Sequence, residues 1–311
     1  MIISASRRTD IPAFFSDWFV NRIREGFCTV PNPFNPKQVS TIKLDVNNVD
    51  VIVFWTKYAE PMVKHLPELD EMGYKYYFHY TITDYPHELE PNSPVLPKVL
   101  DSFKRLSERI GPGRVIWRYD PILLSNLTDA YYHCNKFEQI ANELEGYSNR
   151  CVVSIADLYR DVLVRIQKLN ASGLEVETEQ DKIIQKLDLF MINIAESALS
   201  RGLEITSCAE QIPLEKFHIE RGKCIDDEYI LREFNLHVSK TKDRSQRPEC
   251  GCVSSRDIGM YNSCSFGCEY CYATNLCSRL RKPTTEHDPE SPSILGRYEP
   301  TNTDDSQLTL F

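Results

Sequence analysis

Short apolar runs alternate with longer amphipathic stretches along the first 210 residues of the chain. Residues 181–201 place apolar side chains on one helical face, and Gly202 follows as a typical helix stop. Another helix is predicted to start near Pro12, because proline suits a first helical turn. The apolar runs are rich in β-branched and aromatic residues and predict six strands: Ile2–Ala5, Val51–Trp55, Lys75–Thr81, Val115–Trp117, Cys151–Ile155 and Leu203–Thr206.

Repeated strand–helix alternation predicts an α/β fold with a parallel sheet, in the form of a TIM-like (β/α) barrel that is either partial or closed. In such folds, functional side chains gather at the carboxyl ends of the strands. The alternative is that "SRRTD" and "WRYDP" supply only structural ion pairs and turns. A whole ring of unpaired charges would be costly without a ligand, so the candidate catalytic residues are Arg8, Asp10, Arg118, Asp120 and Glu210.

The pattern changes after residue 240 and divides the chain into three parts. Residues 1–240 are the predicted barrel-like domain. Residues 241–282 are polar, irregular and rich in cysteine, and we expect them to pack on the barrel mouth. Residues 283–311 are rich in Pro, Asp, Glu, Ser and Thr, which predicts an extended or disordered tail.

Composition narrows the functional classes. The chain has 311 residues, a net charge of −9 and 11 cysteines. It has no apolar run of about 18 residues and begins without a signal peptide pattern, so we expect a cytoplasmic protein with no membrane span. An acidic chain binds nucleic acid poorly unless it forms a local basic groove. In a cytoplasmic protein, cysteines that cluster indicate metal binding more than disulfides.

The densest cysteine array is "YNSCSFGCEYCYATN", residues 261–275. Cys264, Cys268 and Cys271 follow a Cys-x3-Cys-x2-Cys spacing, and Gly267 eases the turn between them. Structural zinc sites typically use four ligands. Three thiolates on a [4Fe–4S] cluster would leave one iron open to a substrate or cofactor. The alternative is a zinc site completed by Cys277 or Cys252.

This array resembles the hallmark of the radical S-adenosylmethionine superfamily, Cys-x3-Cys-x-aromatic-Cys, with Tyr270 in the aromatic position. The resemblance implies a [4Fe–4S] cluster, S-adenosylmethionine, an electron donor and a partial β/α barrel. Tyr270, Arg7 and Asn262 are then the candidate cofactor-binding residues. The superfamily motif usually follows the first strand, whereas here it follows the last unit, so the loop must fold back over the barrel mouth. The usual glycine-rich motif has no clear counterpart.

Longer stretches resemble the bacterial family called domain of unknown function 1848. They include "IISASRRTDIPAFF", "VIWRYDPILL", "RPECGCVSSRDIG" and "CEYCYA", and together they span nearly residues 1–275. The family implies no activity. It does imply that its C-terminal cysteines are similar to the radical S-adenosylmethionine cluster site.

Four further cysteines form a possible second site: Cys208, Cys224, Cys250 and Cys252. They could hold an auxiliary [4Fe–4S] cluster, or a structural zinc ion that pins the C-terminal segment to the barrel. The alternative is that Cys208 is an ordinary buried thiol and that the other three are free.

The chain ends in "QLTLF" and resembles the short peptide by which bacterial replication and repair proteins dock on the DNA sliding clamp. Gln307 would fix the register, while Leu308, Leu310 and Phe311 would fill apolar pockets. The alternative is that the tail packs on its own domain or has no role. Three functions follow: a radical enzyme acting on DNA, a radical enzyme acting on a small metabolite or peptide, and a non-catalytic metal-binding adaptor recruited to the clamp.

Overall fold

The computed structural model describes residues 1–275 and 286–300, and these residues form one main sheet, one hairpin and a set of helices. The strands are β1 (Ile2–Ala5), β2 (Phe27–Asn32), β3 (Asn35–Lys43), β4 (Val51–Thr56), β5 (Tyr76–Thr81), β6 (Val115–Ile122), β7 (Arg150–Ile155), β8 (Glu204–Cys208), β9 (Glu220–Gly222) and β10 (Arg256–Asp257). The helices are α1 (Ile11–Phe14), α2 (Ser16–Glu25), α3 (Glu60–Val63), α4 (Leu66–Glu71), α5 (Leu96–Ile110), α6 (Ala130–Glu143), α7 (Arg160–Ala171), α8 (Gln180–Leu187), α9 (Met191–Leu199) and α10 (Asp227–Phe234).

The main sheet has eight strands in the order β10-β1-β4-β5-β6-β7-β8-β9, and every neighbouring pair is parallel. The predicted α/β class, the parallel sheet and the six predicted strands are confirmed. Within the described residues, β10 pairs only with β1 and β9 pairs only with β8, so the sheet does not close. The closed form of the predicted barrel is therefore not confirmed.

The two faces of the sheet bury different partners, because alternate residues of each strand point to opposite sides. Ile52, Phe78 and Trp117 belong to the large core, which helices α1–α6, α8 and α9 complete. Val53 and Tyr77 face the other way and pack against α10 and the segment around Cys250–Val253. The C-terminal part of the chain thus covers the sheet face that the earlier helices leave open.

Several details differ from the predictions. The helical stretch predicted over residues 181–201 is divided into α8 and α9, because residues 188–190 form a turn between them. The antiparallel hairpin β2–β3 was not predicted. Part of the predicted tail packs on the body: the Trp18 Nε1–H donates to the Ser291 carbonyl at 2.9 Å, and Ile294 and Leu295 join the large core.

Strand β10 brings the C-terminal segment to the carboxyl end of β1. Its register pairs Arg256 with Ile3 and Asp257 with Ser4. Gly259 then passes so close to Ser6 that a Cβ at this position would overlap the serine side chain. The next residues are held by Thr9, whose hydroxyl donates to the Met260 carbonyl at 2.7 Å. None of the described helices is both long enough and apolar enough to cross a membrane.

Candidate functional site

The cysteine-bearing loop of residues 261–275, which we call the three-cysteine loop, lies on residues that follow β1 and β5. The Tyr272 hydroxyl donates to the Arg7 carbonyl at 2.6 Å. The Glu269 amide donates to the Leu89 carbonyl at 3.0 Å, and the Asn92 side chain donates to the Ser265 carbonyl at 3.0 Å. The loop therefore folds back over the carboxyl edge of the sheet.

The thiols of Cys264, Cys268 and Cys271 are near enough to interact electrostatically with one another. Gly267 adopts a left-handed backbone with φ of 71°, which permits the turn between Cys264 and Cys268. Burial raises the pKa of Cys264 and Cys268, so both favour the neutral thiol form. Three thiols within eight residues are suitable donors for a cluster, although no group of three or more His, Cys, Asp or Glu within residues 1–275 and 286–300 is arranged to hold a metal ion.

A buried ion pair lies beside Cys268. Glu90 Oε1 accepts hydrogen bonds from Lys57 Nζ at 2.8 Å, from the Thr83 hydroxyl at 2.8 Å and from the Tyr270 hydroxyl. Burial alone would raise the pKa of Glu90, but the Lys57 charge and these hydrogen bonds hold it below its ordinary value. Tyr270, a predicted cofactor-binding residue, therefore contacts a carboxylate in this structure.

Lys57 and Glu90 also line a cavity of about 210 Å³ at the end of β5. Its wall combines hydroxyl, charged and aromatic side chains, including Thr81, Thr83 and His87. Lys57 follows the predicted strand Val51–Trp55, whereas no sequence pattern indicated Glu90, because a glutamate in the loop "PHELEP" carries no periodic signal. The pair thus belongs both to the cavity wall and to the surroundings of Cys268.

The other four cysteines also come together, and we call Cys208, Cys224, Cys250 and Cys252 the four-cysteine cluster. The Sγ atoms of Cys208 and Cys224 are 2.9 Å apart. Cys224, Cys250 and Cys252 are buried in one cluster with Cys208 packed against it, and the Ile225 amide donates to Cys252 Sγ at 3.4 Å. The neighbouring Cys224 thiol lowers the pKa of Cys208 and of Cys252, while Cys224 itself has a raised pKa.

Arg118, Asp120 and Arg7 lie near this cluster. Arg118 Nη1 donates to Cys224 Sγ at 2.9 Å, and Arg118 Nε donates to Asp120 Oδ2 at 2.9 Å. Asp120 also accepts a hydrogen bond from the Ser154 hydroxyl. The guanidinium groups of Arg118 and Arg7 stack over the Trp55 ring, at 5.1 and 5.4 Å from its centroid. The predicted catalytic residues Arg118 and Asp120 and the predicted cofactor-binding residue Arg7 therefore lie close to the four-cysteine cluster.

The remaining candidate residues make contacts that organise the backbone. Arg8 Nε donates to Asp257 Oδ1 at 3.0 Å and ties β1 to β10. Asp10 caps α1 by accepting from the Ala13 amide at 3.0 Å, and its other oxygen accepts from the Lys57 amide at 2.6 Å. Burial raises the pKa of Asp10 to about 7.

Glu210 and Asn262 also hold backbone segments. Glu210 Oε1 accepts from the Ile155 amide at 2.7 Å, and burial raises the pKa of Glu210 to about 8. Asn262 has a φ of 64°, and its side chain accepts from the Asn275 amide at 2.8 Å, which joins the two ends of the three-cysteine loop. These contacts fit the structural alternative that the sequence left open.

Comparison with known proteins gives a family and no activity. A family model described as domain of unknown function (DUF1848) matches residues 2–273. The match includes the three-cysteine loop through Cys271 and all of the four-cysteine cluster. No curated protein and no solved structure matches the chain.

Proposed function

Since the chain belongs to the DUF1848 family, whose description names no activity, we propose from the site itself that it is an iron–sulfur enzyme of the radical S-adenosylmethionine type. The observation that carries this proposal is the position of the three-cysteine loop. Cys264, Cys268 and Cys271 follow the last β/α unit in sequence, yet their loop is anchored beside the ends of β1 and β5. This edge is where parallel α/β folds place their reacting groups.

In this proposal, Cys264, Cys268 and Cys271 hold a [4Fe–4S] cluster through three thiolates. When bound, such a cluster supplies an electron for reductive cleavage of the sulfonium group of S-adenosylmethionine. Cys268 is buried, and all three thiols must lose their protons when metal binds.

Lys57 and Glu90 hold the three-cysteine loop in place beside the proposed cluster site. Lys57 neutralises Glu90, and Glu90 in turn holds the hydroxyl of Tyr270, which precedes Cys271 in the loop. The adjoining cavity of about 210 Å³ is smaller than a typical pocket for a whole drug-sized ligand. It suits a polar fragment such as an amino acid group or a ribose, which the Thr81 and Thr83 hydroxyls could bind.

Anaerobic reconstitution with iron and sulfide tests the proposal directly. We expect a reduced-cluster paramagnetic signal that changes when S-adenosylmethionine is added, and formation of 5′-deoxyadenosine with a chemical reductant. Cys268→Ala should lose all three, whereas Cys134→Ala, a matched control between α6 and α9, should retain them. Stoichiometric zinc without iron, after production under iron-replete anaerobic conditions, would overturn the proposal.

Action on DNA stays a prediction, because it depends on residues 307–311, which lie outside the described residues. A peptide of residues 300–311 should bind a bacterial sliding clamp with micromolar affinity, as expected for a short segment that orders on binding. Replacing Leu310 and Phe311 with Ala should abolish that binding. If the wild-type peptide does not bind, a small-molecule substrate becomes the better assignment.

A further inference from the structure

The four-cysteine cluster joins three distant parts of the chain. Cys208 ends β8, Cys224 follows β9, and Cys250 and Cys252 lie just before β10. The Cys208 and Cys224 sulfur atoms are 2.9 Å apart, and Cys224, Cys250 and Cys252 are buried in one cluster with Cys208 packed against it. Four thiols gathered from separate segments are a donor set that structural metal sites use.

The surroundings of the cluster supply positive charge. Arg118 Nη1 donates to Cys224 Sγ at 2.9 Å. Arg7 is buried nearby, and Cys252 is prominent among the acidic groups that favour its charge. Among the described residues, Arg7 Nη2 and Trp55 Nε1 are buried with no hydrogen-bond partner. Unsatisfied buried donors are costly, and they would be stabilised by a centre that carries net negative charge.

Each possible occupant would require a different movement of the sulfur atoms, and a disulfide could join only two of the four cysteines. A disulfide would bring two sulfur atoms to about 2.05 Å, closer than the 2.9 Å between Cys208 and Cys224. A tetrahedral zinc ion with bonds of about 2.3 Å separates its sulfur ligands by about 3.8 Å, so this pair would have to open by roughly 0.9 Å. An iron–sulfur cubane holds its ligands at separate corners and would require a much larger expansion.

We propose that Cys208, Cys224, Cys250 and Cys252 bind a single zinc ion as a tetrathiolate site, with Arg7 and Arg118 as its cationic neighbours. Four thiolates and one Zn²⁺ carry a net charge of about −2, which the two guanidinium groups partly offset. No group of three or more His, Cys, Asp or Glu among the described residues is arranged to hold a metal ion, so zinc binding would require Cys208 and Cys224 to move apart. The site is independent of the proposed enzymatic function.

The zinc site would act as a crosslink. It would fasten the segment that contains Cys250 and Cys252 to the ends of β8 and β9, immediately before that segment enters β10. Because β10 leads into the three-cysteine loop, the crosslink would fix where that loop meets the sheet edge. Structural zinc sites of this type contribute directly to folding stability.

The test uses the full chain with Cys264, Cys268 and Cys271 all replaced by Ala, so that the proposed iron–sulfur ligands are removed and the four-cysteine cluster is kept. We expect about one tightly bound zinc ion per chain, with X-ray absorption showing four sulfur ligands at about 2.3 Å. Substitution with Co²⁺ should give the strong thiolate-to-cobalt absorption of a tetrahedral site. Adding Cys252→Ala should reduce the zinc content to less than about a tenth.

Cys151→Ala serves as the matched control, because Cys151 is a buried thiol of β7 outside the cluster, and it should leave the zinc content unchanged. Measurement on the triple variant does not depend on whether Cys252→Ala folds. The proposal is overturned if the triple variant contains no zinc, binds iron in its place, shows nitrogen or oxygen ligands, or contains a Cys208–Cys224 disulfide by mass spectrometry.

Discussion

The three-cysteine loop and the four-cysteine cluster both bury thiols beside cations, but they are assembled differently. Cys264, Cys268 and Cys271 come from eight consecutive residues, and their cation, Lys57, is already paired with Glu90 next to a cavity. The four-cysteine cluster draws on three separate segments, and Arg118 contacts a sulfur atom directly. A local array next to a cavity suits exchange with ligands, whereas a distributed array suits a crosslink.

The largest expected effect is a difference in thermal stability between variants of the four-cysteine cluster and variants of the three-cysteine loop. Cys252→Ala should lower the thermal unfolding midpoint by roughly 10 °C, because it removes one ligand of the proposed zinc crosslink between distant segments. Cys264→Ala should abolish iron binding and change the midpoint little, because its partners lie within one loop. Calorimetry with iron and zinc analysis checks both, and equal midpoint shifts in the two variants would erase the distinction.

Glu90→Gln should be the next largest change, because it leaves the Lys57 charge buried without a counterion. We expect a loss of about 3 kcal/mol in the free energy of unfolding, measured with chemical denaturant. Glu88→Gln, at an exposed position two residues earlier, should have almost no effect. Lys57→Met combined with Glu90→Gln should recover much of the loss, and a double variant as unstable as Glu90→Gln alone would argue against the pairing.

Glu210 predicts a pH effect near the four-cysteine cluster. Burial raises its pKa from an ordinary value of 4.5 to about 8. The folded state therefore holds a proton that the unfolded state releases, so the stability that Glu210 contributes is complete below pH 4.5 and is lost as pH rises toward 8. The free energy of unfolding should therefore fall with rising pH across this window.

Glu210→Gln should flatten this pH dependence, because glutamine still accepts the hydrogen bond from the Ile155 amide but does not titrate. Denaturation curves from pH 4 to pH 9 for both proteins provide the measurement. An identical pH slope in the two proteins would show that Glu210 does not titrate in this range.

The smallest expected effects are the losses of stability caused by removing hydroxyl groups that anchor the three-cysteine loop. Tyr270→Phe and Tyr272→Phe each remove one hydroxyl that ties the loop to the body, and each should cost about 1 kcal/mol. Hydrogen exchange should increase for residues 261–275 in both variants. Tyr131→Phe is the control, since this tyrosine is 76 % exposed, and exchange that is unchanged in all three variants would contradict the anchoring role.

Local patterns in the sequence predicted much of the fold, and the reason is visible in particular elements. Strands β1 and β4–β8 contain short runs of β-branched or aromatic residues, and their alternation with helices predicted the parallel sheet. Short strands escaped prediction, since β9 has three residues and β10 has two, too few for a periodic signal. The break between α8 and α9 was missed because the apolar face continues across it in sequence.

The sequence by itself determined the positions of the central strands and the spacing of Cys264, Cys268 and Cys271, because both are properties of neighbouring residues. Only the tertiary structure decided which distant groups meet. It placed Glu90 against Lys57 and Tyr270, and it brought Cys208 to Cys224 and Arg118 to the same sulfur atom. Such contacts depend on how strands and crossovers pack over long separations, and no local pattern of residues encodes that packing.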